Sequence, residues 1–213
     1  MNDTPLYQYG NKHLIEKLGK LKNRDVLLLL LDGSATFGRI DRIDDWVVTI
    51  LPTTSIPDQG FVQLRATGSS LAADPILASQ LFIDSRNIIH IVEGPFTLSP
   101  LSTITTPNDQ TARTEASVPI PGRQYCKLIE ELQELAGQNV AISTLGGWTI
   151  GGKLVEIEHS LSLIHIGDSL LPPLIIPNTI TIFGSVFPLG LRLSINTVKI
   201  WSNLKALTQV ILP

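Results

Sequence analysis

Residues 14–50 read LIEKLGKLKNRDVLLLLLDGSATFGRIDRIDDWVVTI, and residues 128–164 read LIEELQELAGQNVAISTLGGWTIGGKLVEIEHSLSLI. The second stretch lies 114 positions after the first and aligns with it without a gap, with 11 identities in 37 positions. Most of the identical residues are apolar residues or glycines, the types that core packing and tight turns select. The repeat predicts that one small domain occurs twice in this chain of 213 residues.

Each copy begins with a short amphipathic helix and continues with strands. Three leucines in each copy recur at spacings of four and three, which places them on one helix face: Leu14, Leu18 and Leu21, then Leu128, Leu132 and Leu135. The predicted strands are residues 26–31, 36–43 and 46–51, then 140–145, 148–157 and 161–166, with turns at Asp32-Gly33 and Gly146-Gly147. Gly38 and Gly152 lie inside the return strand at the same register, which is typical of a sharp bend in a small, curved barrel.

Beyond the aligned stretch the two copies diverge. Residues 52–80 and 167–190 are each either an elaborated loop or a separate hairpin, with extra strands predicted at 61–65 and 179–183. The last two strands of each copy are predicted at 81–84 and 88–92, then at 191–194 and 198–201, and a final helical turn at 203–207.

Residues 95–122 contain five prolines, nine serines or threonines and three charged residues, without periodicity. Proline disfavours regular strand pairing, so this stretch is predicted to be a linker. The predicted domains are therefore residues 11–94 and 123–213.

Composition limits the classes of function. The net charge of −3 argues against a dominant electrostatic grip on nucleic acid. A hydrophobic content of 43% with only 16% charged residues predicts buried interfaces between modules or between chains. The single cysteine, Cys126, indicates a reducing, intracellular setting, and the six-residue apolar run 26–31 is too short to span a bilayer. We expect a cytoplasmic protein that does not enter a membrane.

The first strand and its turn, residues 26–33, and the glycine-containing return strand, residues 38–48, resemble the first motif of the Sm-like family. The segment Ile43-Asp44-Asp45-Trp46-Val47 is most similar to the bacterial host-factor branch, in which an aromatic residue follows the Asp by two positions. Residues 85–91 are a looser match to the second motif, with a basic residue at Arg86. The resemblance implies a mainly β protein made of two tandem Sm-like small β-barrels, each with an N-terminal α-helix.

The resemblance also implies a candidate RNA site. In the family an aromatic residue and polar residues of two turns hold a base and its phosphate, which points here to Asp44, Trp46, Arg86 and Asn87. The alternative is structural: Trp46 is a core or interface aromatic, Arg86 is a solvated turn residue, and Asp44 holds its own loop. The second copy has Ser160 in place of the aromatic residue, and its second motif aligns with Asn196-Thr197, without a basic residue.

Nothing in the sequence predicts an enzyme, a cofactor or a metal. The four histidines, His13, His90, His159 and His165, have no metal-ligand spacing, and Cys126 has no neighbouring base in the sequence. The glycines near residue 150 are not followed by the Lys-Ser/Thr of a phosphate loop.

The leading hypothesis is a non-enzymatic Sm-like binding or scaffold module that self-assembles, with single-stranded RNA as a ligand of the first domain. The family pairs the fourth strand of one module with the fifth of the next, so the partner is the chain itself, as a homo-oligomer or an intrachain pseudo-dimer. The alternative is a purely structural or coat protein without a nucleic-acid ligand. A third hypothesis is a small-molecule or peptide binder that uses the two insertions.

Overall fold

The computed structural model describes residues 10–53, 61–67, 70–76, 79–100, 122–165, 179–184, 187–195 and 199–212. Within these ranges it contains two α-helices and fifteen strands, all in one sheet whose pairing is antiparallel except between two strands of the insertions. The prediction of a mainly β protein is confirmed. The strand path is open rather than closed on itself.

The first half contains one helix and eight strands. Their bounds are α1 Lys12–Lys20, β1 Asp25–Leu30, β2 Ser34–Asp44, β3 Val47–Leu51, β4 Phe61–Thr67, β5 Ser70–Ile76, β6 Leu81–Asp84, β7 Ile88–Glu93 and β8 Phe96–Pro100, with a 3-10 turn at Ser85–Asn87. Asn11 caps α1 by accepting hydrogen bonds from the backbone N–H groups of His13 and Leu14. Leu14 and Leu18 are fully buried, because their spacing turns both toward the sheet.

The second half follows the same order. Its elements are α2 Gly122–Glu134, β9 Asn139–Thr144, β10 Thr149–Glu158, β11 Leu161–His165, β12 Thr179–Gly184, β13 Phe187–Ile195, β14 Lys199–Asn203 and β15 Leu207–Ile211, with 3-10 turns at Leu145–Gly147 and Leu204–Ala206.

The first three strands of the two halves share one backbone geometry. Val26 pairs with Gly38, and Val140 pairs with Gly152, 114 positions later. The register shift between β2 and β3 recurs at the equivalent place between β10 and β11. Positive φ angles also coincide, in the pairs Asn23 and Gly137, Gly33 and Gly147, and Asp45 and His159. Equal bulges and equal left-handed positions indicate that the sequence repeat is also a structural repeat.

The fourth and fifth strands of each half also correspond, but at a separation of 119 positions. Val47 pairs with Asp84 just as Leu161 pairs with Asn203, and β7 pairs with β1 as β15 pairs with β9. The strand predicted at 191–194 exists within β13, but its partners are β12 and β8, so it belongs to an insertion. The predicted helical turn at 203–207 is the end of β14, the 3-10 turn and the start of β15.

The insertions are hairpins, which resolves the alternative that the sequence left open. The pairs β4–β5 and β12–β13 are antiparallel, and β5 meets β12 at Ala73 and Ile182. Strand β8 pairs with β13, so regular pairing extends to Pro100, five residues into the stretch where prolines predicted a linker. Pro100 lies on β8, an edge strand within the described residues, where proline is tolerated because one side of the strand needs no hydrogen-bonding partner. Residues 101–121 of that linker lie outside the described residues.

The two halves are joined by a strand pair in the middle of the sheet. Strand β14 of the second half pairs with β7 of the first, from Lys199 opposite Glu93 to Ser202 opposite His90. Two core clusters lie against the sheet, and each contains buried residues of both halves. Phe37 and Trp148 lie in one cluster, and Leu28 and Trp201 lie in the other. The described halves therefore share their cores across the junction.

Candidate functional site: two turns and two free sheet edges

The turn after β2 and the 3-10 turn after β6 lie side by side at one end of the first repeat. The backbone N–H of Ser85 donates to the carbonyl of Trp46 at 2.7 Å, and Val47 pairs with Asp84 in the neighbouring strands. These contacts bring together the two segments that contain the four residues predicted to bind RNA, Asp44, Trp46, Arg86 and Asn87.

Arg86 is held by a carboxylate of its own turn. Its Nε donates to Asp84 Oδ1 at 2.8 Å and to Oδ2 at 3.0 Å, and one terminal nitrogen also donates to Oδ2. The hydrogen bond from Arg86 lowers the pKa of Asp84, so this carboxylate stays ionised. A phosphate would have to compete with Asp84 for the same guanidinium.

The other three predicted residues differ in what they contact. Trp46 is exposed, so it is not a core residue and does not lie in a buried contact between described residues. The carboxylate of Asp44 forms an ion pair with Arg42 at 3.0 Å, and within the described residues it accepts no backbone N–H, in contrast to the expected loop-holding role. The carbonyl of Asn87 accepts a hydrogen bond from the N–H of Leu31 at 2.8 Å, so this residue ties its turn to the end of β1.

The second repeat has the same pair of turns, and they are covered by the start of α1. The N–H of Leu204 donates to Ser160 O, as Ser85 does to Trp46 O in the first repeat. Asn11 Nδ2 then donates to Ser160 O at 3.1 Å and to Asn203 Oδ1 at 3.0 Å. The rings of His13 and His159 stack with centroids 4.0 Å apart.

The structure corrects the alignment of the second motif in this repeat. The equivalent of Arg86 is Lys205, not Asn196-Thr197, because the separation between copies changes from 114 to 119 in the insertion. The second repeat therefore has a basic residue at this place. Lys205 Nζ donates to the carbonyl of Gly10 at 2.6 Å, so it too is engaged by the start of α1.

Lys17, Glu93 and Trp201 form a mostly buried cluster that connects the two repeats at their junction. Lys17 Nζ lies 2.7 Å from Glu93 Oε1 and 4.1 Å from the ring centre of Trp201, whose Nε1 donates to the same carboxylate. Burial alone would raise the pKa of Glu93, but the hydrogen bonds from Lys17 and Trp201 outweigh it and lower the pKa. Glu93 is therefore an anion with satisfied partners.

His90, on β7, is completely buried at the same junction. Its ring nitrogens lie 2.8 Å from Ser202 Oγ and 2.8 Å from Thr144 Oγ1, and burial lowers its pKa to about 3. The imidazole is therefore neutral in the folded protein. Its place between hydroxyls of two strands is that of a satisfied core histidine.

Three strands have a free side within the described residues: β8 at one end of the strand path, β6 in the first repeat and β15 in the second. Some apolar side chains of β6, of its neighbour β3 and of β15 are exposed, whereas their equivalents at the internal junction are buried. Phe82 is 59% exposed against 8% for Trp201, Val47 is 43% against 2% for Leu161, and Ile211 is 43% against 0% for Val92. The side chains that β14 and β7 bury against each other have counterparts without a partner on β6 and β15.

A cavity of about 320 Å³ lies at the opposite end of β1, lined by Leu21, Arg24, Asp25, Val26 and residues 93–96. A deep apolar pocket between a barrel and an insertion would favour the small-molecule hypothesis. This cavity has three charged lining residues and no wall from β4, β5, β12 or β13, so it does not favour that hypothesis.

The described part of the chain contains no cluster of three or more histidine, cysteine or carboxylate side chains suited to a metal ion. No described helix has the length and apolar character needed to cross a membrane. Comparison with models of protein families, with curated proteins and with solved structures gave no match.

Proposed function

We propose that this chain is a non-enzymatic scaffold module built from two tandem Sm-like barrels, and that copies join head to tail through β6 of one chain and β15 of the next. The observation that carries the proposal is the internal junction, where the fourth strand of the second repeat pairs with the fifth strand of the first. The two repeats have equivalent strands, so the same pairing is geometrically available between chains.

The register of the contact between chains follows from the internal one. Trp201 lies opposite Ile91 at the junction, and the equivalent residues on the free edges are Phe82 and Val210. Leu81 would lie opposite Ile211 by the same rule. Both pairs are apolar, and burying such side chains contributes about 25 cal/mol per Å². Because the two edges are unlike, the contact is head-to-tail and generates either a ring or a filament.

Sedimentation velocity over a range of micromolar concentrations tests the assembly. The wild type is expected to form species with multiples of the 23.2 kDa chain mass. Phe82→Asp buries a charge at the edge and is expected to give monomers. Phe82→Trp places there the residue that the second repeat has at this position, and it is expected to assemble. A wild type that stays monomeric at every concentration contradicts the proposal.

Single-stranded RNA is the proposed ligand of the first repeat, through Asp44, Trp46, Arg86 and Asn87. The exposed indole of Trp46 beside a turn with a basic residue supports it, since an indole face stacks on any base. Titration with short uridine- or adenine-rich RNA is expected to give salt-dependent binding that Trp46→Ala weakens by about 1–3 kcal/mol. Lys205→Ala is the control, because its repeat lacks the aromatic residue.

The alternative remains a purely structural or coat component without a nucleic-acid ligand. The bond of Arg86 to Asp84 and the net charge of −3 favour it, because both weaken attraction for phosphate. Assembly of the wild type without salt-dependent RNA binding at micromolar protein would select this alternative.

A further inference from the structure

The start of α1 contacts the turns of the second repeat, and the equivalent place beside the turns of the first repeat is filled by no described residue of the same chain. In the internal junction, His13 of α1 stacks on His159, in the turn between β10 and β11. His159 corresponds to Asp45, 114 positions earlier, in the turn between β2 and β3. His13 corresponds to Lys127, 114 positions later, in α2. A histidine pair within the chain thus corresponds to a carboxylate and an ammonium group on two different chains.

The backbone at the two turns directs these side chains alike. Asp45 has φ 51° and His159 has φ 55°, both in the left-handed region. Asp45 is exposed, and it takes part in no ion pair within the ranges described above. Its neighbour Asp44 is already paired with Arg42, so Asp45 is the carboxylate of this turn without a cation.

The ammonium group of Lys127 is also available for an ion pair with another chain. It is highly exposed on α2, and its ion pair with Glu131, four residues later, is 3.7 Å long with both side chains in solvent. Such a pair on a helix surface is weak and exchanges readily. The other charged residues near Lys127 in α2 are Glu130 and Glu131, which an acidic turn would repel. Lys127 therefore determines whether α2 of one copy is attracted to the Asp45 turn of the next copy.

We propose that Lys127 of one copy forms an ion pair with Asp45 of the next copy, and that this contact holds the start of α2 beside the turn between β2 and β3. The inference rests on the proposed head-to-tail assembly and names a contact in it. In this arrangement the turns of the first repeat contact α2 of another chain, just as the turns of the second repeat contact the start of α1 of the same chain.

A zero-length carbodiimide cross-link tests the contact directly, because this reagent couples an amine only to a carboxylate that touches it. Unlabelled and ¹⁵N-labelled chains are mixed, cross-linked, digested and analysed by mass spectrometry. The expected product is a peptide pair joined through Lys127 and Asp45, in which one peptide is labelled and the other is not. Lys127→Gln removes the product. Assembled protein that gives other cross-links between chains but not this one overturns the proposal.

A double-mutant cycle on the dissociation constant between chains provides the second test. Asp45→Asn and Lys127→Gln are each expected to weaken association about two- to fivefold at low salt, and the double variant no further. Asparagine tolerates the left-handed backbone at residue 45, so folding is retained. Lys22→Gln removes one exposed positive charge elsewhere and is expected to leave the constant unchanged.

The outcomes separate the proposed ion pair from the assembly. If the effects of the single variants multiply in the double variant, the two residues act independently and the proposed ion pair is wrong, while the assembly stands. If the wild type does not associate and Phe82→Asp changes nothing, the proposed function itself fails.

Discussion

Nδ1 of His90 lies 2.8 Å from Oγ of Ser202, on the strand of the second repeat that pairs with the strand of His90. The other ring nitrogen lies 2.8 Å from Oγ1 of Thr144, on a further strand of the second repeat. One fully buried ring thus links the first repeat to two strands of the second. Because these contacts join the two repeats, variants of His90 measure how much the contacts between repeats contribute to the stability of the fold.

His90→Ala is expected to lower the free energy of unfolding by about 2–4 kcal/mol, because it leaves a cavity and removes a partner from Ser202. Denaturation by urea measures the change. His90→Gln is the matched control, since Gln209 occupies the equivalent position in β15. The glutamine retains a donor and an acceptor, and we expect it to lose less than the alanine. Equal losses would show that the hydrogen bonds contribute nothing.

Stability is expected to fall as the pH is lowered from about 6.5 toward 3. Burial lowers the pKa of His90 from 6.5 in the unfolded chain to about 3 in the folded chain. Between these two pH values the unfolded chain binds a proton that the folded chain does not bind. The contribution is fully present above pH 6.5 and is lost at up to about 1.4 kcal/mol per pH unit below it. Glu93 and Asp84 add their own losses only below their ordinary pKa values of 4.5 and 3.8.

The matched measurement for that window is urea denaturation of wild type and His90→Gln between pH 7 and pH 5. The difference between the two stabilities is expected to shrink as the pH falls. A difference that stays constant would mean that His90 is not the group that titrates.

Gly146→Ala is expected to destabilise the protein by about 2 kcal/mol or more. Gly146 has φ 79°, and a Cβ there would lie 2.7 Å from the carbonyl oxygen of Leu30 and 3.0 Å from Nε1 of Trp148. That nitrogen donates to Leu30 O at 2.8 Å, so the substitution also disturbs a bond between the repeats. Thermal unfolding followed by circular dichroism gives the size of the effect.

Gly19→Ala is the contrasting substitution. It lies inside α1, and a Cβ there meets nothing within 4 Å. Alanine restricts the unfolded chain and favours the helix, so we expect stability to rise by about 0.5–1 kcal/mol. A loss at this position would contradict the packing described for α1.

Glu93→Ala is expected to cost about 2–3 kcal/mol, because Lys17 and the indole N–H of Trp201 lose a common, largely buried acceptor. Glu16→Ala, on the exposed side of α1, is the control and is expected to cost under about 0.5 kcal/mol. Urea denaturation with intrinsic tryptophan fluorescence measures both. Similar values for the two variants would mean that the junction cluster adds no stability.

The sequence was informative wherever both copies obey one local rule. The spacing of Leu14 and Leu18 predicted a helix whose apolar face is buried. The extra strands at residues 61 and 179 were found because alternation of apolar and polar residues needs no knowledge of a partner. These features depend on neighbours in the chain, which a single sequence contains.

Pairing between distant segments could not be read in the same way. The alternating residues 191–194 look like a fourth strand, yet they pair with an insertion, and residues 199–203 take that place. The shift from 114 to 119 hid the equivalence of Lys205 and Arg86. One signal was available: Asn203-Leu204-Lys205 follows a short apolar strand, as Asp84-Ser85-Arg86 does.

The candidate residues were chosen by resemblance to a motif, which specifies neither whether their two turns are adjacent nor what their side chains contact. The four residues lie in two adjacent turns, but the partners of Arg86 and Asp44 are local side chains, Asp84 and Arg42. Ion pairs between residues two apart in sequence depend on rotamers that no pattern specifies. The covering of the second-repeat turns by Asn11 was equally invisible, because it joins residues 149 positions apart.

In the proposed assembly, the edges β6 and β15 are different surfaces, and this would have a consequence for mixtures of chains. A copy with a blocked β6 can still attach through β15, and once attached it offers no site for the next copy. Small amounts of such a chain would therefore halt growth or closure of an otherwise normal population, like a chain terminator in a polymerisation. Two variants blocked on opposite edges would, in contrast, combine with each other and stop at the dimer.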